Sequence, residues 1–160
     1  MVEWTGRMRD RLNQPRFHDT YKAKEKLPEP TVCDECGAVF HKGRWQWAER
    51  PEGAHTMLCP ACARIRDKCP AGFVNLRGSF VAEHRDDILG LVRNVEQREQ
   101  GEHPIERIMA IEDEDGGLLV TTTEMHLATA IGTAVHHAYH GTLESRHADA
   151  DNTLHIAWER

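Results

Sequence analysis

The chain has 160 residues, 39% apolar and 29% charged, which fits one ordinary domain or two small ones. No apolar run is long enough to cross a bilayer as a helix, so no membrane partner is expected. The net charge of −6 argues against nucleic acid taken alone, but it hides a split: residues 1–82 carry 14 Lys+Arg against 10 Asp+Glu, and residues 83–160 carry 6 against 16. A basic half joined to an acidic half points to two surfaces with different partners.

Residues 1–32 hold few large apolar groups and three prolines, Pro15, Pro28 and Pro30, too little to offset the entropy of ordering the backbone. A mobile arm is expected. From Arg7 to Lys26 it carries Arg7, Arg9, Arg11, Arg16, Lys22, Lys24 and Lys26 against Asp10, Asp19 and Glu25, a net +4. Such an arm either follows phosphates and orders on contact or merely solubilises the chain. Trp4 and Tyr21 suit stacking on bases and tilt the reading toward binding.

Residues 33–78 form the expected metal-binding module. Cys33-Asp34-Glu35-Cys36-Gly37 and Cys59-Pro60-Ala61-Cys62 each place two sulfurs within reach of one ion, and two such pairs make the closed tetrahedral set that structural Zn²⁺ prefers. Gly37 suits the tight turn of a knuckle. The 22-residue spacer, Gly37 to Leu58, reads as a hairpin: Ala38-Val39-Phe40 and Arg44-Trp45-Gln46-Trp47 are strand-like around His41-Lys42-Gly43. A zinc ribbon or treble clef with one structural ion follows. Disulfides are disfavoured because Met1-Val2-Glu3-Trp4 leads straight into charged residues with no leader, which also points to the cytoplasm. With all four thiols engaged no coordination position stays open, so a catalytic zinc is not expected. Cys69 is left over as an ordinary, partly buried thiol.

Period-two alternation puts Trp45 and Trp47 on one face, which either covers the small core or stacks on bases. Lys42, Arg44 and Arg50 lie close by. Arg64, Arg66 and Lys68 follow the second cysteine pair and would meet a phosphate backbone from a short helix. The residues expected to touch RNA are therefore Arg7, Arg9, Arg11, Arg16, Lys22, Lys24, Lys42, Arg44, Trp45, Arg64, Arg66 and Arg77.

Phe73 to Gly78 alternates as a strand. Residues 79–160 then form an acidic α+β domain, a small antiparallel sheet with two helices. The first helix carries Val81, Ile88, Leu89, Leu91, Val92 and Val95 on one face, with Ser79 as N-cap, Glu83 in an acidic first turn, and Gly101 and Pro104 stopping it. Arg107 to Ile111 and Leu118 to Thr122 are strands about the Asp115-Gly116-Gly117 turn. Thr123 caps a second helix through Tyr139, with Leu127, Ile131, Val135 and Ala138 on its inner face and Gly141 as its stop. Thr142 to Arg146 and Leu154 to Trp158 make the last hairpin, with Leu154, Ile156 and Trp158 pointing one way and His155 and Ala157 the other.

The order of features from Cys33 to about Leu143 resembles the large-ribosomal-subunit export adaptors of archaea and eukaryotes. The likeness lies in Cys-x-x-Cys-Gly, in a second knuckle continuing as Cys59-Pro60-Ala61-Cys62-Ala63-Arg64, in a strand ending Asn75-Leu76-Arg77-Gly78 before a helix, and in Asp115 to Thr122 leading to His126-Leu127-Ala128. The chain also resembles a set of small bacterial single-zinc proteins. It has one four-cysteine set where the adaptors have several, so nuclear export is not carried over. The resemblance implies contact with ribosomal RNA or a ribosomal protein through the zinc module and its flanks.

Eleven histidines invite a catalytic guess. His136 and His140 have helical metal-pair spacing, but the run His136-His137-Ala138-Tyr139-His140 lacks the Glu of a His-Glu-x-x-His site. Glu112, Asp113, Glu114 and Asp115 fall in a turn, where charge runs are solvated. Phosphate loops, dinucleotide fingerprints and nucleophile elbows are absent, and no enzyme is expected. The expected function is a ribosome- or RNA-associated zinc-binding accessory protein. Its arm and zinc module would hold phosphates and its acidic domain would meet a basic ribosomal protein. The alternative is a protein–protein adaptor or regulator whose zinc is purely structural.

Overall fold

The computed structural model describes residues 27–160. Arg7, Arg9, Arg11, Arg16, Lys22 and Lys24, with Trp4 and Tyr21, lie outside the described residues.

Among the described residues, the first regular element lies inside the stretch read as an arm. Strand β1 is Thr31–Cys33, and Thr31 and Val32 are buried. Both are β-branched, stiff at χ1 and suited to a pleated surface. They pair antiparallel with β2 (Val39–His41) and parallel with β4 (His55–Met57). Thr31 and Val32 thus belong to the small sheet. β2 and β3 (Arg44–Gln46) form the expected hairpin. Its two-residue turn, Lys42-Gly43, has φ of 53° and 77°, the left-handed pair whose twist matches that of the strands. The small sheet runs β3-β2-β1-β4. β4 is three residues long and exposed throughout, so no alternation announces it. Helix α1 (Pro60–Asp67) follows at once, with proline in the first turn, where its missing N–H costs nothing, and Lys68 left-handed at its end.

The larger sheet contains β5 (Gly72–Arg77), β6 (Ile108–Glu114), β7 (Gly117–Thr122), β8 (Thr142–Ala148) and β9 (Thr153–Glu159), in the order β6-β7-β5-β9-β8. The sequence groups β5 with the metal module, whereas it is the middle strand here, buried on both faces from Gly72 to Leu76. β7 takes one of its edges antiparallel and β9 takes the other parallel, so the sheet is mixed rather than antiparallel. The hairpin β8–β9, reached through a helix, brings the last strand in alongside β5 in the same direction.

The single helix expected after β5 is two: α2 (Ser79–Glu83) and α3 (Arg85–Glu102), broken at His84, whose backbone sits at φ −123° and ψ 29°. Gly78, not Ser79, holds the cap position of α2, and the acidic first turn is Asp86 and Asp87 of α3. Helix α4 is Met125–Tyr139. These helices cover one face of the sheet, where Val81, Ile88, Val92, Leu127, Ile131 and Val135 bury Val74, Leu76, Leu118, Val120, Ile156 and Trp158. Ala138 is exposed, and Tyr139 packs on that core in its place. A second, smaller core gathers Cys33, Ala38, Trp45, Cys59, Ala61 and Cys62. The described residues are therefore α+β, with two small sheets, four helices and a four-cysteine cluster. No described helix is long and apolar enough to cross a membrane.

Candidate metal centre

Parallel pairing of β1 with β4 sets the Cys33 end of one strand beside the Met57 end of the other. The chain therefore leaves both strands at the same end, and both cysteine pairs open there. After β1, Gly37 takes φ 79° and its N–H donates to the Cys33 carbonyl at 3.0 Å, closing the first knuckle. No atom lies near a Cβ added at Gly37, so backbone conformation, not space, selects glycine. After β4, Cys59 caps α1 and Cys62 sits in its first turn.

All four sulfurs lie within 4.8 Å of one another. Cys36 and Cys59 are 3.8 Å apart, the edge of a tetrahedron whose metal–sulfur bonds are about 2.3 Å. The Cys59 N–H donates to Cys33 Sγ at 3.2 Å and the Cys62 N–H to Cys59 Sγ at 3.4 Å. Amide donors aimed at sulfur favour the thiolate, the form that binds metal. The donor set thus fits one four-coordinate, thiophilic ion.

One partner of the sulfurs comes from outside the module. Arg107 Nη2 donates to Cys36 Sγ at 2.9 Å and lies 3.5 Å from Cys59 Sγ, while Nη1 donates to Cys62 Sγ at 3.2 Å. Its Nε donates to the Pro104 carbonyl at 2.8 Å, which fixes the plane of the fork. Ile105 packs against the cysteine core, and Trp47 Nε1 donates to the Gln100 carbonyl at 2.7 Å. The metal module and the larger sheet meet at this junction.

The electrostatics follow from burial and these donors. Burial pushes the Cys33 thiol up, but the amides of Cys36, Cys59 and Glu35 more than offset it and bring it to about 7. Burial raises Cys59 strongly, and the neighbouring sulfurs add to that. Burial also raises Cys62, against the pull of the Arg107 guanidinium. Burial would lower Arg107, but its bond to Cys62 and the charge of the sulfurs raise it above the ordinary guanidinium range. Four crowded sulfurs and one cation form an arrangement that a divalent ion completes.

The cationic residues singled out in the sequence divide sharply. Lys42 and Arg44 are exposed at the hairpin tip. Arg66 is exposed and paired with Asp67 at 3.1 Å. Arg64 is only 6% exposed, with Nη1 donating to the Cys69 carbonyl at 3.0 Å, and it closes the end of α1 rather than reaching solvent. Arg77 is half-buried and donates to Asn75 Oδ1 at 3.0 Å. Trp45 is a core residue, 9% exposed against Phe40, whereas Trp47 is 42% exposed. The strand ends at Gln46, so alternation does not carry the two rings to one face. From Leu27 to Ala71 six Lys+Arg balance six Asp+Glu, so the basic excess of the amino-terminal half resides mainly in the arm.

Among the described residues the four cysteines are the only group placed to hold a metal ion. His136 turns its Nδ1 to the His140 carbonyl at 3.2 Å. Asp113 pairs with Arg85 at 3.0 Å at the surface. Cys69 is buried and stands outside the four-cysteine group. Arg107 is the site residue missing from the sequence reading, because 45 and 71 residues separate it from Cys62 and Cys36 and no spacing rule links them. No protein-family model matches the chain, and no curated protein matches it.

Proposed function

We propose that the chain is a zinc-binding accessory protein, without enzymatic activity, that associates with ribosomal RNA in the cytoplasm. In this reading the ion is one structural Zn²⁺. The module is of treble-clef type, one cysteine pair before a hairpin and the other on the first turn of a helix. The centre stabilises and positions; it has no open coordination position from which to catalyse.

The observation that carries the reading is the anchoring of the arm. Leu27, the first described residue, packs against the cysteine core, and Glu29 accepts from the Gly43 N–H at 2.7 Å at the hairpin tip where Lys42 and Arg44 are exposed, so the sequence that carries Arg7 to Lys26 joins the chain at the metal module. Contacts to phosphate need cations gathered on a fixed base; the module supplies Lys42 and Arg44 on one, and Arg7 to Lys26 precede it directly in the sequence. The resemblance of Cys33 to Leu143 to ribosome export adaptors points the same way, and the acidic sheet domain suits a basic ribosomal protein. The test is binding to ribosomal RNA across a salt series. Affinity is expected to fall steeply with salt, and deletion of residues 1–26 is expected to flatten the slope. Binding indifferent to both sinks the reading.

A second reading, a protein–protein adaptor, is favoured by the exposed Trp47, Met57 and Ile65 of the same module. Partners that survive nuclease treatment of a pull-down would select it.

A further inference from the structure

We propose that Arg107 is an outer-sphere clamp on the four-thiolate centre, and that through it metal occupancy controls the docking of the metal module on the larger sheet. The proposal rests on the zinc reading of the cysteines, and its test separates the two.

Arg107 precedes strand β6, yet its fork spans sulfurs from both cysteine pairs, at 2.9 Å to Cys36 and 3.2 Å to Cys62. It is held for that task on its own side. Its main-chain N–H donates to Thr123 Oγ1 at 2.9 Å, its carbonyl accepts from the Thr123 N–H at 2.9 Å, and its Nε is bonded to the Pro104 carbonyl. A guanidinium locked by backbone and aimed at sulfurs has the geometry of the outer-shell partners that orient metal ligands. A divalent ion in four thiolates leaves two negative charges in a partly buried site, and the guanidinium halves them. Metal coordination fixes the sulfurs as thiolates, the acceptors to which a guanidinium bonds most strongly. Losing the ion therefore weakens all three Arg107–sulfur contacts together. What then remains of the described junction is the packing of Ile105 and the bond from Trp47 to Gln100. Lysine is no substitute, since a point charge lacks the fork that bridges two sulfurs.

The test uses the full chain loaded with zinc, in wild type, Arg107→Gln, Arg107→Lys and Trp47→Phe. Zinc content, the rate of zinc transfer to a chromogenic chelator, and amide exchange over residues 103–108 and 121–124 with and without zinc are measured. Wild type is expected to carry one zinc per chain, with those amides protected only when it is bound. Arg107→Gln is expected to bind zinc about 10–100-fold more weakly, to release it faster, and to lose the zinc-dependent protection. Trp47→Phe is expected to exchange faster at the junction with zinc transfer unchanged. If Arg107→Gln does not fold, Arg107→Lys decides, with faster release expected. Zinc transfer at the wild-type rate in a zinc-loaded Arg107 variant, or protection that still follows zinc in Arg107→Gln, overturns the proposal. A wild type that binds no zinc overturns the metal reading itself, and the clamp with it.

Discussion

Thr123 and Arg107 hold each other across the start of β6. The Arg107 N–H donates to Thr123 Oγ1 at 2.9 Å, and the Thr123 N–H donates back to the Arg107 carbonyl at 2.9 Å. Thr123 Oγ1 also donates to the Ile105 carbonyl, so one hydroxyl serves both neighbours of Glu106. The sequence makes Thr123 a helix cap; instead Glu124 holds that position without a side-chain bond, and the hydroxyl is committed to the junction. Thr123→Val keeps the shape and leaves the Arg107 amide and Ile105 carbonyl unpaired beside a fully buried side chain. A loss of about 1–3 kcal/mol is expected in urea unfolding, with Thr123→Ser closer to wild type. Equal stability of the valine variant would show that the hydroxyl is not needed.

The two tryptophans of the hairpin are expected to respond oppositely. Trp45 is buried in the cysteine core and tilted against Phe40 at 5.5 Å, so Trp45→Ala should cost about 3–5 kcal/mol. Trp47 is largely in solvent and makes one bond, to the Gln100 carbonyl, so Trp47→Ala should cost about 1 kcal/mol. Unfolding curves of the zinc-loaded variants check the ranking, and a larger cost at Trp47 would refute the assignment of the core.

Cysteine substitutions separate ligand from bystander. Cys33 sits in the four-sulfur group and accepts from the Cys59 amide; Cys69 is buried but lies outside that group. Elemental analysis of Cys33→Ser is expected to find well under one metal per chain, with residues 31–67 losing protection from exchange, because binding free energy is folding free energy in so small a unit. Cys69→Ser should keep the wild-type content. Full metal content in Cys33→Ser would remove that residue from the ligand set.

What was legible in the sequence was what local chemistry decides. Two Cys-x-x-Cys pairs announce their own geometry, Lys42-Gly43 and Asp115-Gly116 announce hairpins, and Leu127, Ile131 and Val135 announce the buried stripe of α4. What was hidden depends on elements far apart in the chain. The parallel pairings β1–β4 and β5–β9 are set by what lies between them, not by the strands themselves. Arg107 carries no mark of its destination. Arg64 has the charge of a surface residue but faces inward from α1, where the Cys69 carbonyl satisfies it.

Gly132 tests how closely α4 lies on the sheet. A Cβ built there would stand 2.6 Å from Ile156 Cγ2 and 3.3 Å from Leu143 Cδ1, inside normal contact. Helix propensity favours alanine by about 1 kcal/mol, while overpacking costs about 1–3 kcal/mol. The clash is with side chains of two strands at a fully packed interface, so the second effect is expected to win. Gly132→Ala should therefore lower the unfolding midpoint, and a rise would mean that Ile156 yields at little cost.

Glu106 gives the fold a pH dependence of known sign. Its side chain is 7% exposed, with Oε2 buried and unpartnered, and burial, reinforced by Glu124 and Glu99 against the opposing His126, lifts its carboxyl from 4.5 to about 7. In the folded chain it therefore keeps a proton that the unfolded chain gives up between those values. Its contribution is harmless below about pH 4.5, where both states are protonated, and stability is lost as pH rises through 7, by on the order of 2–3 kcal/mol. Glu106→Gln removes the ionisation. With saturating zinc in both proteins, the stability of the variant relative to wild type is expected to rise from pH 5 to pH 8 and then level off. Taking the difference at each pH cancels the shared titration of the cysteines. A difference that stays flat across the series, or falls with pH, would show that Glu106 ionises in the folded chain as it does in the unfolded one.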